Sequence, residues 1–169
     1  MSDKHLLILN QQQIQQKIDR IAYQILEDNF DEEEIIIAGI LPSGDKIAKR
    51  LKGILDDIAP FKSTFVGITL DKQSTSLRAN IDFDVQDCSN KVVILVDDVL
   101  NSGKTIAYGF GVFRDVPLKK LRTAVLIDRN HKRFPMITDF AGMALSTVLK
   151  EFVDVVLDEE GQEDGVYLR

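Results

Sequence analysis

The stretch Lys91-Val92-Val93-Ile94-Leu95-Val96-Asp97-Asp98-Val99-Leu100-Asn101-Ser102-Gly103-Lys104-Thr105 decides how this chain is read. Val92 to Val96 is an unbroken apolar run with no polar face, which predicts a central strand buried on both sides. Two carboxylates, Asp97 and Asp98, end it, and a helix is predicted from Ile106 to Phe113, closed by Pro117. In parallel α/β sheets a ligand sits beyond the carboxyl ends of the strands. Gly103 permits a tight turn that gathers amide N–H groups. The helix start adds the positive end of its dipole, and Ser102 and Thr105 add hydroxyls. Together these parts form a cradle for a phosphate monoester.

The paired aspartates narrow the ligand. A triphosphate cradle would not carry two anions at its mouth, whereas carboxylates accept well from vicinal hydroxyls. A phosphate and a diol a short distance apart describe a ribose 5-phosphate. Asp97 and Asp98 could also reach Mg²⁺, directly or through water. Gly103-Lys104-Thr105 imitates the end of a Walker A loop, but Asp98 stands where that pattern needs its first glycine. A pair that merely caps the next helix is the plainer alternative, and one aspartate would suffice for that.

Outward from this motif the elements alternate. Asn10 is a candidate N-cap for a helix with Ile14, Ile18, Ile21 and Ile25 on one face, ending near Asn29. Asp31 to Glu34 reads as a solvated loop. Ile35 to Gly39 is a strand, and Ile47, Ala48, Leu51, Ile54 and Leu55 form a helical stripe. Thr64 to Leu70 is a strand, Asp71 to Asp87 is polar and poor in helix signal, and Leu121 to Ile127 and Phe152 to Leu157 are strands. This order predicts an α/β fold: a largely parallel, twisted sheet flanked by helices on both sides.

Composition sets the outer bounds. The 169 residues are expected to form one domain, 1–169, with 44% hydrophobic and 28% charged residues. The single cysteine, Cys88, allows no intrachain disulfide and no multi-cysteine metal site. Leu6 to Leu9 is too short for a signal peptide or a membrane span, so a cytoplasmic protein without membrane contact is expected. A net charge of −6 argues against coating nucleic acid by bulk charge, though not against a local basic patch.

Val96 to Thr105 resembles the diphosphoribosyl-binding signature of the type I phosphoribosyltransferases. Within them the chain is similar to the pyrimidine operon attenuation regulators that are also uracil phosphoribosyltransferases. Looser matches are Ile18-Asp19-Arg20-Ile21-Ala22, Ala48-Lys49-Arg50-Leu51, Val92 to Val99, Ala124 to Arg129, and His131. The resemblance implies that fold with a small hood region, and Mg²⁺-dependent transfer of a phosphoribosyl group from 5-phosphoribosyl diphosphate to a pyrimidine base such as uracil. By position, Asp97 and Asp98 would hold the ribose hydroxyls and the metal. Asn101, Ser102, Gly103, Lys104 and Thr105 would hold the 5-phosphate. Leu41, Pro42, Ser43 and Gly44 would meet the pyrophosphate. Asp71 to about Asn80 would be a lid bearing Lys72 and Arg78, and Asp128, Arg129, Asn130 and His131 would line the base pocket. A homodimer or larger assembly is also implied.

Three departures bear on this. Ser43 stands where the regulators have a basic residue, and Pro42 lacks an amide donor. The lid looks short, with Lys72 and Arg78 its only cations, and an ordinary solvated loop is an equal reading. Asn101 stands where purine-using relatives carry an aspartate acting as a base, which disfavours a purine. A regulator that binds the donor or a nucleotide and RNA, with little or no catalysis, is therefore the alternative. Lys46, Lys49 and Arg50 on one helix, and Lys17 and Arg20 on another, are candidate RNA contacts, or simply solubilising charges.

Overall fold

The computed structural model describes residues 5–71, 78–148 and 150–169. Strand β1, Leu6–Asn10, leads directly into helix α1, Gln11–Asp28. Asn10 caps that helix as expected: Asn10 Oδ1 accepts from the Gln13 amide and Gln13 Oε1 from the Asn10 amide, both at 2.9 Å. Ile14, Ile18, Ile21 and Ile25 are all fully buried. Each adds about 2–3 kcal/mol of apolar stabilisation.

β2, Glu34–Leu41, is followed by α2, Gly44–Ile58, and β3, Lys62–Leu70. Glu34 belongs to the strand and not to the solvated loop, because it pairs in register with Lys62 of β3. The polar stretch beyond β3 holds a short return strand, β4, Ala79–Ile81, and a single 3₁₀ turn, Val85–Cys88. β5 covers Val92–Leu100, α3 covers Lys104–Gly111, β6 covers Lys120–Asp128 and β7 covers Phe140–Ala144. A terminal hairpin, β8, Val153–Val156, and β9, Gly165–Leu168, completes the chain.

The larger sheet has the order β4-β3-β2-β5-β6-β7. β3 and β4 are antiparallel, and every other pairing in it is parallel. Both faces are covered, as the apolar runs require. Ile35 and Ile37 of β2 and Val92, Ile94 and Val96 of β5 pack under α1 and α2. Ile36, Ala38 and Ile40, with Val93 and Leu95, pack on the opposite face with Ile106 and Phe113.

Besides Glu34, two expectations differ from the fold. The central strand does not stop at Val96. Its pairing with β6 continues through Asp97↔Val125 and Val99↔Ile127 to Leu100↔Asp128, so ladder bonding overrides the poor strand propensity of aspartate. The Phe152–Leu157 region does not join the parallel sheet. β8 pairs antiparallel with β9, and β9 with β1, giving a separate three-stranded sheet that forms the hood.

The winding creates the site. From β2 the chain moves outward to β3, then crosses back to lay β5 on the other side of β2. Winding reverses between β2 and β5, and their carboxyl ends open a crevice where ligands bind in such sheets. The loops facing it are those between β2 and α2 and between β5 and α3.

Candidate active site

Asp97 is 6% exposed, and its Oδ1 accepts from the Asp98 amide at 2.9 Å. Asp98 Oδ1 accepts from the Val99 amide at 2.8 Å. Each carboxylate is thereby steadied by the strand that carries it. Gly103, at φ 85°, lies in the left-handed region that favours glycine and starts α3. A Cβ there would meet Phe134 O at 3.2 Å, so the position is tight as well as left-handed. The Arg133 and Phe134 amides both donate to Ser102 O, at 2.8 and 3.0 Å, and tie the loop after β6 onto this turn. Ser102 Oγ accepts from the Lys104 amide at 3.2 Å.

Asp97, Asn101, Ser102, Gly103 and Thr105 line a cavity of about 110 Å³. Larger recesses, of about 480 and 680 Å³, border the hood hairpin away from both aspartates. The small cavity is the chemically meaningful one, because the Asp97 carboxylate, the Ser102 and Thr105 residues and a helix start converge on it.

The loop after β2 is packed against the same place. A Cβ on Gly44 would stand 2.6 Å from Val96 O and 2.9 Å from Asp97 Cα. Only a glycine lets this loop touch the central strand. The Leu41–Pro42 peptide is cis, and Ser43, at φ 84°, is the N-cap residue of α2 without a side-chain capping bond. Leu41, Pro42, Ser43 and Gly44 thus border the crevice, with no cation among them.

Arg129, expected to line the base pocket, is 4% exposed and held in a network of its own. Its guanidinium donates to Thr147 Oγ1 at 2.7 Å, Asn101 Oδ1 at 3.0 Å, Glu151 O at 2.6 Å and Val148 O at 3.3 Å. It also meets His131 Nδ1 at 3.2 Å. Arginine can only donate, so His131 Nδ1 accepts and Nε2–H donates to Thr147 O at 2.6 Å. Asp128 accepts from the Asn130 amide at 3.0 Å and from Thr138 Oγ1 at 3.1 Å, which shapes its own loop. These three residues assemble the wall beyond β6.

Of the lid, Lys72 lies outside the described residues. Arg78 opens the return to β4, its carbonyl accepting from the Asp71 amide at 2.8 Å. The flanks therefore form a hairpin extending the edge of the sheet. The helix cations are largely engaged within the fold. Lys46 donates to Leu157 O at 2.6 Å, and Arg50 pairs with Asp158 and Asp164. Lys49 sits 3.6 Å from Asp45, and Arg20 donates to Ala141 O at 2.9 Å. Cys88 is buried, which pushes its thiol pKa up and suits a packing role.

Among the described residues no group of three or more metal-ligating side chains occurs. Asp97 and Asp98 supply two carboxylates, the donor set Mg²⁺ takes when substrate phosphates complete its shell.

The family model of the phosphoribosyl transferase domain matches residues 7–159, and the chain belongs to that family. Over nearly its whole length it is similar to the bifunctional protein PyrR of Fusobacterium nucleatum. The two are 34% identical over 180 residues, spanning 99% of this chain and 100% of that protein. PyrR of Ligilactobacillus salivarius is 35% identical over 167 residues, covering 90% and 91% of the two chains. The fold matches a hypoxanthine-guanine phosphoribosyltransferase from Bacillus anthracis with a TM-score of 0.76 at 20% identity, over 99% of this chain and 98% of that one. It also matches the hypoxanthine phosphoribosyltransferase of Trypanosoma cruzi complexed with IMP, with a TM-score of 0.78 at 19% identity, over 96% and 83%. No helix among the described residues is long and apolar enough to cross a membrane.

Proposed function

We propose that the chain, acting as one phosphoribosyltransferase unit in the cytoplasm, transfers the phosphoribosyl group of 5-phosphoribosyl diphosphate to a pyrimidine base such as uracil. The observation that carries this is the meeting of Asp97 with the Asn101–Thr105 turn in one cavity, against which the Gly44 loop packs at Asp97. The carboxylates accept from the ribose hydroxyls, the amides and hydroxyls at the start of α3 hold the 5-phosphate, and the Leu41–Gly44 loop faces the diphosphate. Thr105 and Ser102 orient the phosphate, so the anomeric carbon is fixed relative to the base. Mg²⁺ held by Asp97 and Asp98 would neutralise charge on the leaving diphosphate. The segment between β3 and β4 would act as the lid that excludes water from an oxocarbenium-like centre, as glycosyl chemistry requires.

The absence of a cation in Leu41–Gly44 favours a second reading, a regulator that binds donor or nucleotide and turns over slowly. Its RNA-binding part gains less support, because Lys46, Arg50 and Arg20 are engaged internally. A homodimer or larger assembly is part of the proposal, and sedimentation at micromolar concentration tests it. The deciding experiment offers nucleobases with the diphosphate donor and Mg²⁺ and follows pyrophosphate release. Turnover with uracil supports the transferase. Donor binding without turnover on any base supports the regulator, and no donor binding rejects both.

A further inference from the structure

We propose that Arg129 is a positioning residue that fixes the Asn101 carboxamide with its N–H₂ turned towards the ligand, so that the site selects a base with an oxo group there. This rests on the phosphoribosyl-transfer reading above. Arg129 has only donors, so the prong of Asn101 that faces it, at 3.0 Å, is the oxygen. The Nδ2 prong is then the one left for a ligand, on a residue that is exposed and lines the cavity with Asp97. Among the described residues no hydrogen bond is made by this Nδ2.

Arg129 cannot swing to release the amide. Thr147 Oγ1 and the carbonyls of Val148 and Glu151 hold the rest of the guanidinium. His131 joins the same net by meeting Arg129 at 3.2 Å and Thr147 O at 2.6 Å. The direction matters too. The phosphate cradle lies at Ser102–Thr105, and the Asn101 carboxamide stands on its β6 side, where its oxygen meets Arg129. A ribose held by Asp97 and Asp98 with its phosphate in the cradle directs its base to that side. The partner that suits a fixed N–H donor is an acceptor, a ring carbonyl and not an amino group. A mispaired amino group would leave two donors facing each other, and such a mismatch discriminates strongly.

The test uses calorimetric titration with uridine 5′-monophosphate, which carries an oxo group at ring position 4, and cytidine 5′-monophosphate, which carries an amino group. The wild type should prefer the uridine nucleotide. Asn101→Asp keeps the bond to Arg129 but presents an acceptor outward, so the preference should fall about tenfold. Arg129→Lys should lower the preference as well, and should lower it no further in the Asn101→Asp background. A purely structural role for Arg129 would weaken both nucleotides equally. An unchanged preference in folded Asn101→Asp overturns the inference. Should Arg129→Lys not fold, Asn101→Asp and Asn101→Leu decide it by the same ratio. Binding of the diphosphate donor is measured alongside. If the donor binds but the ratio does not respond, only this inference fails. If neither donor nor nucleotide binds, the transferase reading fails with it.

Discussion

Arg50 of α2 and Asp164 of the terminal hairpin form an ion pair at 2.6 Å, with side chains 20% and 10% exposed, and so fasten the hood to the main sheet. Burial pushes the Asp164 carboxyl up, but the Asp158 amide and the Arg50 guanidinium outweigh it and hold the pKa below its ordinary 3.8. A depressed folded value means stability that is complete above the ordinary value and lost as pH falls through the folded one. Arg50→Ala is therefore expected to cost about 2 kcal/mol at neutral pH. That deficit should shrink in acid below the ordinary carboxylate range. Denaturant melts at pH 7 and pH 3 measure it, and an equal deficit at both would remove the ion pair as its cause.

Gly44→Ala is expected to separate the β2 loop from the central strand. The added methyl would face Val96 O and Asp97 Cα, which are backbone atoms that cannot rotate aside. Overpacking of this kind costs about 1–3 kcal/mol. Donor affinity should fall by more than the melting temperature suggests, because the displaced loop borders Asp97. Titration with the diphosphate donor beside a thermal melt separates the two effects.

Asp97→Asn with Asp98→Asn should lower donor affinity by about a hundredfold or more, since charge-assisted bonds are worth about 1.5–3 kcal/mol each. The amide oxygens can still accept from the Asp98 and Val99 backbone, so the fold should persist. Near wild-type affinity in the folded double variant would reject the diol assignment.

Ser43→Arg should raise the turnover of a transferase limited by its cation-free loop. A guanidinium there makes bidentate, charge-assisted bonds that strengthen as charge builds on the leaving diphosphate. The gain should fall mainly on kcat, with a smaller change in KM. If the hairpin already supplies the charge, Arg78→Ala will slow the reaction instead and Ser43→Arg will be neutral. No response in either variant would remove both loops from the pyrophosphate site.

The parts of the fold readable from sequence are those governed by local signals. The Asn10 cap, the isoleucine stripe of α1 and the two-faced apolar runs of β2 and β5 need no distant partner to be recognised. β1, β4, β7 and β9 are short, and their identity depends on pairing. Leu6–Asn10 becomes a strand only against Gly165–Leu168. β7 is interrupted by Gly142, where a Cβ would press on Leu126 O at 2.5 Å, so a residue that weakens the strand signal is the one that lets it dock. The motif at Asp97–Thr105 was legible because its chemistry is contiguous. The hydrogen-bond network of Arg129 was not, because Asn101, Thr147 and Glu151 are scattered along the chain and only the fold gathers them.

The pairing of β1 with β9 also sets an order of events during synthesis. Strand β1 leaves the ribosome well before β9 and waits for it, because among the described residues β9 is its strand neighbour in the hood sheet. Meanwhile α1 can dock, since its capping box is complete within Asn10–Gln13 and its isoleucines face strands made earlier than β9. The nascent protein would then carry β1 without its ladder partner until β9 emerges, and an unpaired strand of this kind invites pairing with another chain. Leu6 and Leu7, 59% and 51% exposed even after folding, make that waiting edge apolar as well as unpaired.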